Sequence, residues 1–332
     1  MLEGILWAIG AGVMLGLYAL PEKYIKGYKY ENTWFLFFLL ALIVLPLVAG
    51  FGLINNFGAI LGSIPSEVLW TMIGASFLWG VGVQFWSKAI NYIGMSLGFS
   101  IFIGAVILIG SILPFIVDGL PSPAALKYIM AGLVVILVGI GANGRAGLLK
   151  MGDSDNPHSK HMVRGILIAL IGGLFATGFS LANAVGVKPI TEAVLAEGNP
   201  VWMSSIAVMC IIYWAGALYA IPYFVVQLCK NNTWTNFKES FGRNISMAFI
   251  MAFLNFAASA AFAYAAFSLG GAGNTIGYAI YNTASVLLAV VGGLLTKEWV
   301  GAPPKARKIL YLALLCMVAG VVLIAIGNGA NV

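Results

Sequence analysis

Ten long apolar runs, separated by short charged or Pro- and Asn-rich breaks, dominate the sequence. An α-helix needs about 20 residues to cross the hydrocarbon core of a bilayer, and each run is of that order. The alternating pattern of a membrane β-barrel is absent, so the backbone hydrogen bonds have to be made within helices. We therefore expect an all-α integral membrane protein with ten transmembrane helices. The runs cover residues 4–20, 34–54, 68–91, 95–117, 124–143, 164–187, 201–228, 246–268, 272–296 and 308–327.

The composition excludes a water-soluble globule. Only 8% of the 332 residues are charged and 61% are hydrophobic, whereas ordinary soluble domains carry about 25% charged residues. The net charge of +6 needs no nucleic acid to explain it, because the topology accounts for the basic residues. Three cysteines without regular spacing, Cys210, Cys229 and Cys316, predict neither a disulfide framework nor a zinc site.

The basic residues are distributed very unevenly between the connections. Of the 17 Lys and Arg, 14 lie in odd-numbered connections, and the even-numbered connections hold only Lys127 and Lys188. Lys88 lies within the third run. Short loops rich in Lys and Arg stay in the cytoplasm. We therefore expect a multi-pass protein of the cell inner membrane with both termini in the periplasm.

A glycine pattern at the start of the chain recurs in its second half. Gly4 and Gly12 are repeated 161 residues later as Gly165 and Gly173, in the stretches GILWAIGAGVMLG and GILIALIGGLFATG. An odd number of spans in each repeat turns the second copy upside down, as in many secondary transporters. The pattern therefore predicts two inverted five-helix repeats, which have two nearly equivalent arrangements and so provide for alternating access.

The longest polar connection, residues 144–163, is the predicted cytoplasmic linker between these repeats. It separates a first five-helix repeat at residues 1–143 from a second at residues 164–332. His158 and His161 both lie in it. A metal site brings three or four ligands together, so two histidines among Asn, Pro, Ser and Lys favour a solvated loop.

Polar and aromatic side chains near the middles of the predicted spans are candidates for a substrate site. A polar group at bilayer depth is costly unless it has a partner. A sugar offers hydroxyls to amides and apolar C–H faces to aromatic rings, which matches these residue types. The alternative, open for each residue, is that it links helices for about 0.6 kcal/mol. The candidate substrate-binding residues are Trp79, Gln84, Asn255, Tyr278, Tyr281 and Asn282.

The acidic residues all lie in loops or near the ends of predicted spans. A secondary transporter that is driven by an ion such as the proton needs a partly buried titratable side chain, and no carboxylate lies at the predicted midplane. Glu22, which follows Pro21 at the end of the first run beside Lys23, is the candidate coupling residue. Coupling through this end-of-helix acid and facilitated diffusion both stay open.

Several stretches, in order along nearly the whole chain, carry a resemblance to a known family. They are Tyr18-Ala19 with Pro21, Lys23, Lys26, Glu31 and Trp34, then Trp79–Trp86 (WGVGVQFW), Tyr92–Gly110, Arg145–Lys150 (RAGLLK), Lys188–Ala193 (KPITEA) and Lys297–Trp299 (KEW). These stretches resemble the L-rhamnose/proton symporter family of the drug/metabolite transporter superfamily. The resemblance implies a ten-helix sugar transporter of the inner membrane with both termini periplasmic.

Catalytic motifs are absent from the sequence. No GxSxG, HExxH, P-loop or CxxC pattern appears, and the glycine run Gly271–Gly277 lies in an apolar span instead of a phosphate-binding loop. We therefore expect no enzyme, cofactor or metal, and a protein whose partners are membrane lipid, a small sugar and, if coupled, a proton. The predicted function is secondary transport of L-rhamnose or a related carbohydrate. A drug/metabolite exporter of another small molecule and a non-transporting membrane receptor remain alternatives.

Overall fold

The computed structural model describes residues 2–110, 122–151, 157–269 and 277–329, and these residues form helices without a single strand. Two short 3₁₀ turns, Leu20–Tyr24 and Trp234–Lys238, and one π-helical stretch, Leu39–Val44, accompany the α-helices. The α-helices are α1 Leu2–Leu17, α2 Tyr30–Phe38, α3 Leu45–Leu53, α4 Phe57–Ser63, α5 Ser66–Ile93, α6 Met95–Gly110, α7 Pro123–Met151, α8 Pro157–Ala176, α9 Gly178–Ala196, α10 Trp202–Asn231, α11 Phe241–Leu269, α12 Tyr278–Leu295 and α13 Pro304–Gly329.

Most of the predicted spans correspond to long apolar helices. Among the described residues, eight helical stretches are long and apolar enough to cross a membrane. Two shorter apolar helices, Leu97–Ile109 and Ile280–Leu295, fall in the fourth and ninth predicted runs. Parts of those runs, residues 111–117 and 272–276, lie outside the described residues. The prediction of an all-α membrane protein is confirmed.

Other expectations also fall partly outside the described residues. Residues 152–156 of the predicted linker and most of the glycine run beginning at Gly271 are not described. The C-terminal residue Val332 is not described either.

Two of the spans are irregular near their middles. In the second predicted span, the π-helical stretch lies directly before α3, and Pro46 occupies the first turn of α3. Pro46 has no N–H to donate to the carbonyl oxygen of Leu42, so the regular helical bond is missing there. The sixth predicted span is broken between α8 and α9 at Thr177, whose Oγ1 donates a hydrogen bond of 2.8 Å to the carbonyl oxygen of Leu174. Such side-chain bonds compete with the helical backbone ladder.

The chain contacts divide the protein into two compact units, and each unit draws on both halves of the sequence. The first unit comprises Met1–Leu17, Gln84–Thr177 and Ala265–Val332, and the second unit comprises Tyr18–Val83 and Gly178–Tyr264. The predicted repeats at 1–143 and 164–332 are defined by their order along the chain, whereas the two compact units are defined by contacts. The division into repeats stays a prediction.

Glycines allow the helices of the first unit to approach closely. A Cβ atom on Gly12 of α1 would lie 2.5 Å from the carbonyl oxygen of Tyr281 on α12. A Cβ atom on Gly173 of α8 would lie 2.7 Å from the Cβ atom of Ala105 on α6. Small residues at such crossings allow extensive van der Waals contact between backbones, which drives helix association in lipid.

Asparagine side chains join distant loops of the second unit. Asn199 accepts a hydrogen bond of 2.9 Å from the N–H of Asn55 and donates one of 3.0 Å to its carbonyl oxygen. Asn244 likewise accepts 3.0 Å from the N–H of Lys26 and donates 2.7 Å to its carbonyl oxygen. Each amide thus satisfies both backbone groups of one loop residue.

A buried carboxylate makes a third such connection in the second unit. Glu31, in the first turn of α2, is 6% exposed. Its Oε1 accepts hydrogen bonds of 3.0 Å from Asn231 Nδ2 and 2.8 Å from Thr233 Oγ1. Hydrogen bonds to a charged group are stronger than neutral ones, so this carboxylate fixes α2 to the end of α10.

Candidate functional site

Trp79 on α5 lies at the centre of an aromatic cluster inside the second unit. Its ring centroid is 5.0 Å from that of Tyr213 on α10 and 5.7 Å from that of Phe179 on α9. The indole fits because Gly216 of α10 has no side chain: a Cβ atom there would lie 2.8 Å from the indole. We call Trp79, Phe179, Tyr213, Asn255 and Ser259 the Trp79 cluster.

The polar part of the Trp79 cluster comes from α11. The hydroxyl group of Tyr213 lies 2.8 Å from Asn255 Oδ1, 3.1 Å from the Asn255 carbonyl oxygen and 2.7 Å from Ser259 Oγ. Asn255 and Ser259 are four residues apart, so they share one face of the helix. The three side chains form a buried network that connects α10 with α11.

Three more polar atoms, on the same two helices as Trp79 and Phe179, have no hydrogen-bond partner within the described part of the chain. They are Ser76 Oγ, Ser180 Oγ and Asn183 Oδ1, and all three are buried. Ser76 precedes Trp79 by three residues on α5, and Asn183 follows Phe179 by one turn on α9. A buried polar atom without a partner costs about 1–3 kcal/mol, so these three atoms are candidates for a bond to a polar ligand or to water.

Gln84 lies on α5 within the first unit. Neither its amide nitrogen nor its amide oxygen has a partner among the described residues, although the side chain is fully buried. The backbone carbonyl oxygen of Gln84 accepts a hydrogen bond of 2.8 Å from Ser87 Oγ. A buried amide without a partner is rarer than a buried hydroxyl bonded to its own helix. Gln84 is therefore a stronger candidate for substrate binding than Ser87.

Tyr278, Tyr281 and Asn282, the predicted site residues of α12, are buried in the first unit, as is Ser285. Asn282 Nδ2 donates a hydrogen bond of 2.8 Å to the carbonyl oxygen of Tyr278, and Ser285 Oγ donates one of 2.7 Å to the carbonyl oxygen of Asn282. The ring centroids of Tyr278 and Tyr281 are 6.4 Å apart. The bonds of Asn282 and Ser285 lie within their own helix, so they do not link α12 to a neighbour.

Glu22 lies in the 3₁₀ turn after α1 and belongs to the second unit. Its Oε1 accepts a hydrogen bond of 3.0 Å from Trp34 Nε1. The Trp34 side chain is 1% exposed and packs against Phe37, with the ring centroids 5.3 Å apart. A rigid buried indole therefore fixes one carboxylate oxygen of a half-buried acid.

The predicted site residues thus fall into two groups. Trp79 and Asn255 come together in the second unit through Tyr213, while Gln84, Tyr278, Tyr281 and Asn282 belong to the first unit. Sequence reasoning missed Tyr213 because a tyrosine in the run IIYWAGALY resembles any interfacial aromatic. The spacing of Asn255 and Ser259 was the one available signal for this face of α11.

Metal-ligating side chains do not gather in the described ranges. No group of three His, Cys, Asp or Glu residues there is arranged to hold a metal ion. The thiol of the buried Cys210 donates to the carbonyl oxygen of Pro46 at 3.1 Å, so this cysteine packs α10 against α3.

Long apolar helices with buried amides, hydroxyls and aromatic rings are consistent with a membrane transporter for a small polar molecule. The family model of the L-rhamnose-proton symport protein matches residues 1–331. This chain belongs to that family. It is accordingly a secondary transporter of the inner membrane with multiple membrane-spanning helices, and it is not an enzyme.

Relatives in enteric bacteria are similar over nearly the whole chain. The L-rhamnose-proton symporter of Escherichia coli is 26% identical over 340 residues, which cover 98% of this chain and 97% of the relative. The protein of the same name from Yersinia pestis is 24% identical over 343 residues, covering 98% of both chains. The symporter of Shigella dysenteriae is 26% identical. The family predicted from sequence stretches is confirmed.

Proposed function

We propose that this protein carries L-rhamnose, or a closely related sugar, together with a proton across the inner membrane by alternating access. The observation that carries the proposal is the family match over residues 1–331. The chemistry of the Trp79 cluster agrees with it, because a 6-deoxy sugar combines hydroxyl groups with a methyl group and apolar C–H faces.

Trp79 and Asn255 are the proposed substrate-binding residues of the second unit. The indole offers a flat apolar surface to the methyl and C–H groups of the sugar. The hydrogen bonds of Asn255 described above use its oxygen atoms, which leaves its NH₂ group to donate to a sugar hydroxyl. The oxygens of Ser76 on α5 and of Ser180 and Asn183 on α9, which have no partner among the described residues, provide further acceptors.

The proposed substrate-binding residues of the first unit are Gln84, Tyr278, Tyr281 and Asn282. The buried amide of Gln84, unpaired within the described residues, supports this assignment most directly. Each residue is proposed from contacts within its own unit. Replacing Gln84 or Asn282 by alanine is expected to weaken sugar uptake without preventing insertion, and unchanged uptake in both variants would mean that they are structural.

Glu22 is the proposed proton-coupling residue. Its carboxylate is half-buried and hydrogen-bonded to Trp34 through Oε1, so protonation changes a contact between the 3₁₀ turn and α2. Glu22→Gln should abolish sugar accumulation driven by a pH gradient while sugar counterflow continues, because counterflow needs no net proton movement. Glu67→Gln, at an exposed acid in the first turn of α5, is the matched control. Gradient-driven accumulation that survives Glu22→Gln would exclude this residue.

We also propose the ten-helix arrangement of two inverted five-helix repeats, with both termini periplasmic, and membership of the drug/metabolite transporter superfamily. The first predicted span packs on the ninth through Gly12, and the sixth packs on the fourth through Gly173. These glycines are equivalent in the sequence repeat, which supports the pairing. The excess of Lys and Arg in the odd-numbered connections supports the orientation.

Uptake into proteoliposomes tests the proposed function. Radiolabelled L-rhamnose should accumulate inside vesicles when the outside is made more acidic, and a protonophore should abolish this accumulation. A stabilisation screen against deoxysugars, aldoses, nucleosides and amines identifies the substrate class in parallel. Stabilisation by lipophilic cations alone would favour the exporter alternative, and binding without any uptake would favour the receptor.

A further inference from the structure

We propose that Tyr213 is a positioning residue that fixes the amide of Asn255 with its NH₂ group available to the substrate. The inference rests on the proposed function, because it concerns how the same sugar site reads a hydroxyl group. In this proposal Tyr213, on α10, determines the orientation of a hydrogen-bond donor on α11, the NH₂ group of Asn255. All the contacts that carry it lie within the second unit.

The hydrogen-bond network around Tyr213 has one consistent order. The phenol has a single proton, and both of its acceptors belong to Asn255: the side-chain Oδ1 at 2.8 Å and the backbone carbonyl oxygen at 3.1 Å. Ser259 Oγ, at 2.7 Å, then donates its own proton to the phenol oxygen. Protons therefore run from Ser259 to Tyr213 to Asn255, and bonds in such a chain strengthen one another.

This order determines which end of the Asn255 amide faces the phenol. If the amide rotated by 180°, its NH₂ group would replace Oδ1 beside the phenol, and the phenol proton would keep only the longer contact of 3.1 Å to the Asn255 backbone carbonyl oxygen. The bonded oxygen thus turns the NH₂ group away from Tyr213. Asn255 is 8% exposed while Tyr213 is fully buried, so the amide can reach a ligand and the phenol acts through it.

The ring of Tyr213 has a separate structural role. Its centroid lies 5.0 Å from that of Trp79 and 5.3 Å from that of Phe256. Phenylalanine keeps these ring contacts and removes only the hydroxyl group. Tyr213→Phe therefore separates the positioning of Asn255 from the packing of the aromatic cluster.

The test measures sugar binding and uptake by the purified full-length protein. Tyr213→Phe should raise the Kd and KM for L-rhamnose about five-fold, the effect of one hydrogen bond, and leave the maximal rate unchanged. Tyr219→Phe on the same helix is the control, because that phenol makes ring contacts with Phe77 and Tyr223 and no hydrogen bond within the described residues. It should bind as the wild type does.

A double variant distinguishes positioning from general destabilisation. If Tyr213 acts through Asn255, the variant Tyr213→Phe/Asn255→Ala should bind L-rhamnose no more weakly than Asn255→Ala alone. Where Asn255→Ala binds too weakly to measure, Asn255→Ser serves in its place. A purely structural role predicts instead that the two effects add and that the maximal rate falls with the amount of folded protein.

The outcomes separate this inference from the proposed function. If the wild type binds L-rhamnose and Tyr213→Phe binds equally well, the inference is wrong and the proposed function stands. If the wild type binds another monosaccharide of the panel, the sugar specificity is wrong and the same variants test the inference with that sugar. A wild type that binds no monosaccharide overturns both.

Discussion

Buried hydrogen-bonding side chains hold the second unit together at positions far apart in the sequence. Asn199, Asn244 and Glu31 each satisfy groups on a distant segment. In a chain with only 8% charged residues, these polar contacts provide specificity that nonpolar packing in lipid does not, because lipid tails are as apolar as leucine.

Glu31→Gln should destabilise the protein by about 1.5–3 kcal/mol, the range for hydrogen bonds to a charged group. The glutamine oxygen can take the place of Oε1 and accept from Asn231 and Thr233, but the amide is neutral, so both bonds lose the strength that the carboxylate charge gives them. Thermal unfolding in detergent should show a lower Tm than the wild type. Glu67→Gln, at an exposed acid in the first turn of α5, should leave Tm unchanged, and equal shifts for both variants would contradict the prediction.

Some residues in and around the Trp79 cluster could be predicted from the sequence, and others could not. Asn255 and Trp79 stood out as a polar and an aromatic side chain in the middle of spans. Tyr213 did not, because its role depends on the crossing of α10 with α11 at one level, and helical spacing within one segment carries no information on that register. Ser76 was overlooked because a small hydroxyl residue in a helix is usually bonded to its own backbone.

At the scale of helices, glycine determines how α1 packs against α12. Gly12 and Gly16 each lie within 2.5 Å of a backbone oxygen of α12, measured from the position of a Cβ atom. Gly10, on the same helix, has no atom of the described residues within 4 Å of that position. α1 therefore contains a glycine at a close contact with α12, Gly12, and a matched control glycine without such a contact, Gly10.

Gly12→Ala should force α1 away from α12, because the new methyl group meets the carbonyl oxygen of Tyr281, whose backbone cannot rotate away. A lower Tm and a broader gel-filtration peak are expected. Gly10→Ala should leave Tm unchanged or raise it, since alanine stabilises a helix interior by about 1 kcal/mol relative to glycine. A fall in Tm of the same size in both variants would show that glycine is needed on α1 for another reason.

Helix boundaries were predicted less well than helix existence. The sequence reading treated the sixth span as continuous, but the helix breaks at Thr177, because the threonine side chain bonds to its own backbone and Gly178 packs against the carbonyl group of Ala75. It also treated residues 55–67 as a plain connection, where the structure has α4 after the left-handed Asn56, at φ 54°. Hydropathy averages over such local backbone features.

For the whole molecule, the orientation prediction can be tested with a native cysteine. Cys229 is exposed at the end of α10, beside Lys230, in a connection predicted to be cytoplasmic. A membrane-impermeant maleimide should label it only after cells are permeabilised. Gly62→Cys, at an exposed position on α4 in a connection predicted to be periplasmic, should be labelled in intact cells. Labelling of Cys229 in intact cells would reverse the predicted topology.

The sequence indicated the all-α membrane class of the protein and contained no signal for how contacts would group the helices. The linker at residues 144–163 predicted two five-helix repeats that follow one another along the chain, and that division stays a prediction. The compact units are defined by contacts, and each takes segments from both halves. Apolar periodicity reports which residues face away from water, and in lipid nearly every face is apolar, so it identifies no partner helix.

The connection between Glu31 and the end of α10 also has a consequence for biosynthesis. Its partners Asn231 and Thr233 follow it by 200 and 202 residues. At a synthesis rate of about 5–20 residues per second, the ribosome needs about 10–40 s to make the intervening chain. During that interval the carboxylate has to be solvated by the insertion machinery or by water at the membrane surface. The second unit cannot close until most of the protein has been translated.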